Sequence, residues 1–213
     1  MPESQPDPRP VVAAFDVDGT LTTRDCVTPF LRRAGGGRLA RALLGHPRAL
    51  FGALARRDRD SLKELACASL AGLDGEALDR LGERFADEVA QSRLRADTTA
   101  RLRRHRELGH TVVLASASLD PYLVPLGRLL EVDGVVCTVL ERGADGRLTG
   151  RLVGANCRGP EKERRLREWL ASAGLEEAEV WAYGDSAGDD EMLAGADHAV
   201  RVSRSELVAE PLG

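Results

Sequence analysis

The sequence predicts an α/β fold: a parallel sheet with a block of helices inserted after its first strand. Three observations carry that prediction. Short runs rich in valine and alanine, at 11–15, 111–115 and 180–183, read as buried strands. Stretches of helical periodicity lie between them, and strands alternating with helices imply parallel pairing with helices on the sheet faces. From about Thr28 to Gln91 no comparable strand occurs. There Leu39, Leu43, Leu50 and Leu54, then Leu62, Leu65, Leu70 and Leu73, then Leu78, Leu81, Phe85 and Val89 recur at helical spacing.

The elements follow in order. Residues 1–10 hold four prolines and few apolar anchors and read as a disordered tail. Residues 11–16 form the first buried strand. The helical block, 25–95, is punctuated by glycine and proline at 35–37, 45–47 and 72–75, and the α/β core comprises 11–24 and 96–213. Asp97 is placed to cap a helix that runs through His105 and Leu108 and stops at Gly109. The strand at 111–115 runs into Ser116-Ala117-Ser118, and 119–130 reads as a helix. A short strand at 134–138 precedes a hairpin over 139–153 that turns near Ala144-Asp145-Gly146. Gly159-Pro160 opens a charged helix over 161–173, and the strand at 180–183 ends in Gly184-Asp185-Ser186. Met192 and Leu193 lie on the helix after it, and 198–202 is the last strand.

Composition sets bounds. A chain of 213 residues with 43% hydrophobic content can bury a substantial core, as one domain with an insertion or as two small ones. The formal charge of −4 gives no basis for nucleic-acid binding. No apolar run approaches the ~18 residues that a membrane span requires, and MPESQPDPRP has neither the basic start nor the apolar stretch of a signal peptide. The expectation is a cytoplasmic protein without stable membrane insertion; its oligomeric state is not legible. Cys26, Cys67, Cys137 and Cys157 form no C-x-x-C pair and read as reduced thiols. His46, His105 and His110 read as solvated or helix-end residues, and His198 opens the last strand without a second metal-type partner nearby.

Three strands end in polar clusters: Asp16/Asp18, Ser116/Ser118 and Asp185/Asp189/Asp190. Ligands of parallel sheets bind beyond the carboxyl ends of the strands, so these clusters are expected to converge. Each has a plainer reading. D-x-D-G also describes a strand ending in a glycine turn, and Ser116 could cap a helix. Lys162 could pair with a surface glutamate. However, Lys63 and Lys162 are the only lysines among 30 basic residues, and a compact ammonium suits a crowded anionic site better than a guanidinium fork. Arg158 is the fallback for Lys162, and Lys63 either faces a substrate or pairs with Asp60 at the surface.

Asp16-Val17-Asp18-Gly19-Thr20, Ser116 in VVLASAS, Lys162 near a helix start and Gly184-Asp185-Ser186-Ala187-Gly188-Asp189 together resemble the four motifs of the haloacid dehalogenase superfamily. The likeness extends over nearly everything from Val11 to Val202. It is to subfamily IB, the phosphoserine phosphatase-like group, and implies a Rossmann-like core with a small helical, C1-type cap. The activity implied is Mg²⁺-dependent hydrolysis of a small phosphorylated substrate. Asp16 is then the nucleophile that forms an aspartyl-phosphate, and Asp18 the general acid and base. Lys162 neutralises the phosphate. Asp16, the Asp18 carbonyl, Asp185 and Asp189 hold the metal, with Asp190 the alternative to Asp189; oxygen-only ligands suit Mg²⁺. Gly19, Thr20, Asp25, Ser116 and Ala117 contact substrate or phosphate.

Against phosphoserine phosphatases the chain differs where specificity is made. Asp25 stands in place of a glutamate that holds the substrate ammonium, and Leu65 in place of a cap arginine that holds its carboxylate. Ala117-Ser118 replaces a glycine pair, and Gly188 an asparagine. Phosphoserine is thus one candidate beside other small phosphate esters and lipid-derived phosphates. A phosphotransferase, or a non-catalytic phosphate-binding regulator on the same fold, also stays open.

Overall fold

The structure, a computed structural model, describes residues 9–45, 47–56 and 58–203. Most of the expected tail and His46 therefore lie outside the described residues. The strands are β1 (Val11–Phe15), β2 (Thr111–Leu119), β3 (Gly134–Thr138), β4 (Leu140–Arg142), β5 (Leu148–Leu152), β6 (Glu179–Gly184) and β7 (His198–Arg201). The helices are α1 (Val27–Gly35), α2 (Gly37–Gly45), α3 (Pro47–Arg56), α4 (Arg59–Cys67), α5 (Gly75–Ser92), α6 (Ala96–Glu107), α7 (Asp120–Leu129), α8 (Pro160–Ser172) and α9 (Asp190–Ala194). Among the described residues one five-stranded sheet runs β3-β2-β1-β6-β7, parallel at every pairing, and β4 and β5 form the antiparallel hairpin. The α/β fold expected from the alternation of strands and helices is the one found.

Alternation along β1 builds two layers. Val12 and Ala14 face α8 and α9, packing with Leu166, Leu170, Met192 and Leu193. Ala13 and Phe15 face the other layer, whose buried cluster takes in Tyr122 and Leu126 of α7 and also Phe30 and Phe85 from the inserted helices. The insertion thus shares the core's own hydrophobic cluster. Phe30 and Phe85 meet Tyr122 at centroid distances of 4.9 and 5.2 Å. At Gly82 a Cβ would stand 1.9 Å from the Pro121 carbonyl oxygen, so α5 lies directly on the start of α7, and only glycine permits that approach.

The α2–α3 part of the insertion is packed differently. Leu44 and Phe51 are each 74% exposed, and Leu54 is 56% exposed. Among the described residues no helix is long and apolar enough to cross a membrane.

His105 takes the helix-end position that the sequence allowed, in the last turn of α6, but is not solvated there. It is wholly buried at the end of α6, with Nε2 2.8 Å from the Tyr183 hydroxyl and Nδ1 2.9 Å from His110 Nδ1. Burial, with His110 and Arg101 adding, pushes it down to about 3, so the ring is neutral. It meets the edge of Tyr183, which stacks on Phe15 at 4.3 Å behind the first motif.

Candidate active site

The three polar clusters sit at the ends of β2, β1 and β6, adjacent strands in the middle of the sheet. Asp16 directly follows β1, and its N–H donates to the Tyr183 carbonyl at 2.9 Å, prolonging the ladder by one bond. Asp185 directly follows β6, and Ser116 follows Ala115, where the β2–β3 register begins to shift. Lys162 enters from the third position of α8, which Gly159 opens at φ 58°.

Lys162 is 2% exposed, and its Nζ donates to Asp16 Oδ1 at 2.8 Å and to Asp189 Oδ1. Burial alone would depress this ammonium, but Asp16 and Asp189 outweigh it and hold it above the usual lysine value. Burial raises the Asp16 carboxyl, opposed by Lys162 and reinforced by Asp189. Burial works the same way on Asp189, but Lys162 and the Ser186 donors outweigh it and pull it below its ordinary value. Asp189 Oδ2 accepts from Ser186 N and Oγ, both at 2.9 Å. Its neighbour Asp190 is exposed and pairs with Arg201, so Asp189 is the member of the pair that faces the site.

Asp18 is held by two donors. Oδ1 accepts from Cys26 N at 2.8 Å, and Oδ2 accepts from the Ser118 hydroxyl at 2.9 Å. Burial and the charges of Asp16 and Asp25 push it up to about 7, which suits a group that gives and retrieves a proton near neutral pH.

Asp16, Asp185 and Asp189 each offer a carboxylate oxygen within 4.8 Å of the others. Asp185 is the solvent-exposed member of the three, and partial desolvation with the charges of Asp16 and Asp189 pushes it up to about 6. Gly19, at φ 91°, lets the first loop approach so closely that a Cβ there would stand 2.3 Å from Asp185 Oδ2. An oxygen-only, anion-crowded set of this kind fits Mg²⁺.

These groups floor a cavity of about 950 Å³ whose walls come from the first loop, α4 and the loop before α8. Gly19, Asp25, Ser116 and Ala117 line it as expected of substrate contacts. Thr20 does not: the turn at Gly19 folds its side chain inward, where it is fully buried. Asp25 is at the rim, where its two oxygens accept from Val27 N at 3.0 Å and Thr28 N at 3.1 Å and so also start α1. Arg158 lines the cavity without replacing Lys162.

A model of the haloacid dehalogenase-like hydrolase family matches residues 13–194. The chain belongs to that family. This haloacid dehalogenase-like hydrolase is similar to Protein CicA of Caulobacter vibrioides, 39% identical over 189 residues that make up 88% of this chain and 84% of CicA. It is also similar to phosphoserine phosphatase SerB2 of Mycobacterium tuberculosis, 32% identical over 92% of this chain and 45% of that longer protein. A solved structure of a protein with unknown function from Bordetella pertussis Tohama I superposes with a TM-score of 0.72 at 26% identity, covering 91% of this chain and 90% of that one.

For this hydrolase the cap wall is where sequence reading fell short. Arg59, Leu62, Lys63 and Ala66 line the cavity, a stripe at helical spacing on α4, whereas Leu65 points elsewhere. Arg59 carries no sequence signal, because arginine is the common basic residue of this chain. Lys63 neither faces outward nor pairs directly with Asp60. It is buried, and its partners are Ala117, Thr138 and Asn156 of the core. The rarity of lysine was the signal that marked it; Asn156 carried none.

Proposed function

We propose that this hydrolase cleaves phosphate monoesters through an aspartyl-phosphate on Asp16. The observation that carries the reading is the buried Lys162 ammonium between Asp16 and Asp189 at the floor of the cavity. A phosphoryl dianion approaching a carboxylate needs positive charge already in place, and Lys162 provides it in a water-poor site where it acts strongly.

Asp16 attacks phosphorus, the bond from phosphorus to the ester oxygen breaks, and Asp18 delivers its proton to the departing oxygen, releasing the alcohol. Water then attacks the same phosphorus, Asp18 takes up its proton, and the bond to Asp16 breaks to release inorganic phosphate. Ser116 and the Ala117 N–H hold phosphoryl oxygens. Asp16, Asp185, Asp189 and the Asp18 carbonyl are the groups that would hold Mg²⁺, which when bound offsets the charge on those oxygens.

The reading extends to a small substrate with a second feature for the cap to recognise. Arg59 offers a cation to a further anionic group, which keeps phosphoserine a candidate and is in line with the likeness to SerB2. Val27, Leu31, Leu62 and Ala66 offer an apolar wall to a lipid-derived phosphate.

Release of phosphate from p-nitrophenyl phosphate in Mg²⁺ tests the chemistry. Wild-type protein is expected to turn over and to stop on chelation, and Asp16→Asn to be inactive with an unchanged circular dichroism spectrum. Turnover that survives Asp16→Asn defeats the proposal. A screen of amino-acid, sugar, nucleotide and lipid phosphates then assigns the substrate.

A further inference from the structure

Lys63 is a buried cation that the mechanism above leaves unused. It stands on the cavity face of α4 at 9% exposure, yet every hydrogen-bond acceptor at its Nζ belongs to the core. These are the main-chain carbonyl of Ala117, Thr138 Oγ1 at 3.2 Å and Asn156 Oδ1 at 2.7 Å. An ammonium carries three protons, so its donors are fully engaged across the boundary between cap and core.

The acceptors are themselves held. Thr138 Oγ1 donates to Asn156 Oδ1 at 2.7 Å and accepts from Cys157 N at 3.0 Å. Asn156 Nδ2 donates to Asp60 Oδ1 at 2.6 Å, which ties the loop before α8 back to the first turn of α4. Among the described residues no carboxylate touches Nζ directly, and burial pushes the lysine down to about 8. A cation kept in such a place is costly, and its geometry shows what it controls.

The Ala117 carbonyl and the Ser118 N–H belong to one peptide unit. That N–H donates to Ser116 Oγ at 3.2 Å, and the Ser118 hydroxyl donates to Asp18 Oδ2 at 2.9 Å. A line of donors therefore runs from Lys63 through the peptide to Ser116. Because Ser116 Oγ accepts from that side, its own proton is left to point into the cavity. Turning the peptide would move both the serine that meets phosphate and the partner of the acid.

We propose that Lys63 is a positioning residue that locks the Ala117–Ser118 peptide, aiming Ser116 at the phosphoryl group whenever α4 is seated on the core. Seating of the cap and assembly of the phosphate-binding loop are then a single event. This deepens the phosphatase reading and rests on it. It also leaves Arg59, one turn earlier on the same face, as the cap cation that meets the substrate.

The experiment measures p-nitrophenyl phosphate kinetics and competitive inhibition by inorganic phosphate in parallel for wild type and variants. Lys63→Met keeps the stem without the donor and is expected to lower kcat ~10- to 100-fold, the scale of a misplaced catalytic group, and to weaken phosphate inhibition. In Lys63→Ala, propylammonium is expected to restore part of the turnover, and propanol of similar size to restore none. Unchanged kcat and phosphate inhibition in Lys63→Met, or equal rescue by propanol, overturns the inference and leaves Lys63 a space-filler. Should the Lys63 variants fail to fold, Asp60→Ala decides. It removes the exposed anchor of Asn156 and is expected to lower kcat about 2- to 5-fold at an unchanged melting temperature, a fraction of that misplacement effect; an unchanged kcat there also overturns it. A wild-type protein without Asp16-dependent turnover defeats the parent reading instead, and calorimetric binding of inorganic phosphate to wild type and Lys63→Met then tests the role of Lys63 by itself.

Discussion

Core and cap fix their polar residues by different means. In the core each group sits where regular pairing stops or a helix starts: Asp16 after β1, Asp185 after β6, Ser116 just past the regular β2–β3 pairing, Lys162 in the first turn of α8. Hydrogen-bonded ladders set those positions to within a residue. In the cap, Lys63 is placed by the seating of a whole helix, and its partner Ala117 is 54 residues away in sequence. The core's chemistry is therefore built in, whereas the cap's contribution exists only when the two halves meet.

Lys162→Met tests the core side hardest. It strands Asp16 and Asp189 as buried, uncompensated carboxylates, and a loss of about 3–5 kcal/mol is expected in denaturant unfolding, together with loss of turnover. Stability near that of wild type would mean that the site tolerates two unpaired carboxylates. Phe85→Ala tests the seam where cap and core share one cluster. Emptying the space beside Phe30 and Tyr122 is expected to cost about 3–5 kcal/mol in one cooperative transition; a separate early transition would show the cap to be an independent unit. Gly82→Ala forces a methyl group against the Pro121 carbonyl and is expected to lower stability by about 1–3 kcal/mol.

Acid unfolding probes the layer behind the first motif. His105 titrates at about 3 in the folded protein against 6.5 in the free side chain, so the unfolded chain gains its proton first as pH falls. The stability from keeping this ring neutral is complete above about 6.5 and is lost progressively between 6.5 and 3. Melting temperatures measured over that window are expected to fall more steeply for wild type than for His105→Gln. Parallel curves would remove His105 from the acid response. The smallest effect belongs to Phe51→Gln on the exposed face of α3, expected within about 0.5 kcal/mol of wild type in stability and unchanged in p-nitrophenyl phosphate turnover.

The same contrast explains what could be read from the sequence. The strands were legible because parallel strands buried on both faces are continuous apolar runs, and a glycine or aspartate marks where each one ends. Once parallel pairing was inferred, Asp16, Ser116 and Asp185 had to share one edge of the sheet. Choosing Asp189 over Asp190 needed helix geometry and the Arg201 partner. Thr20 was misplaced because a motif fixes the path of the backbone but not the side to which a buried hydroxyl turns. The cavity face of α4 was illegible for another reason: leucine occupies both faces of that helix, at Leu62 and Leu65, so periodicity alone could not show that 59, 62, 63 and 66 face inward. His105 looked solvated because a histidine in the last turn of a helix usually is, and its Tyr183 partner lies on a distant strand.

The close approach at Gly82 bears on how substrate enters. With α5 pressed backbone to backbone on α7, and Phe30 and Phe85 wedged against Tyr122, that side of the cap cannot swing without tearing the molecule's main cluster. The exposed apolar residues of α2 and α3 lie outside that cluster, whereas Cys67 at the end of α4 belongs to it, so the wall that carries Lys63 is pinned at its C-terminal end. On the phosphatase reading the way in for substrate is the α4 wall rather than the α5 side, and withdrawing α4 would draw Lys63 off the Ala117 carbonyl.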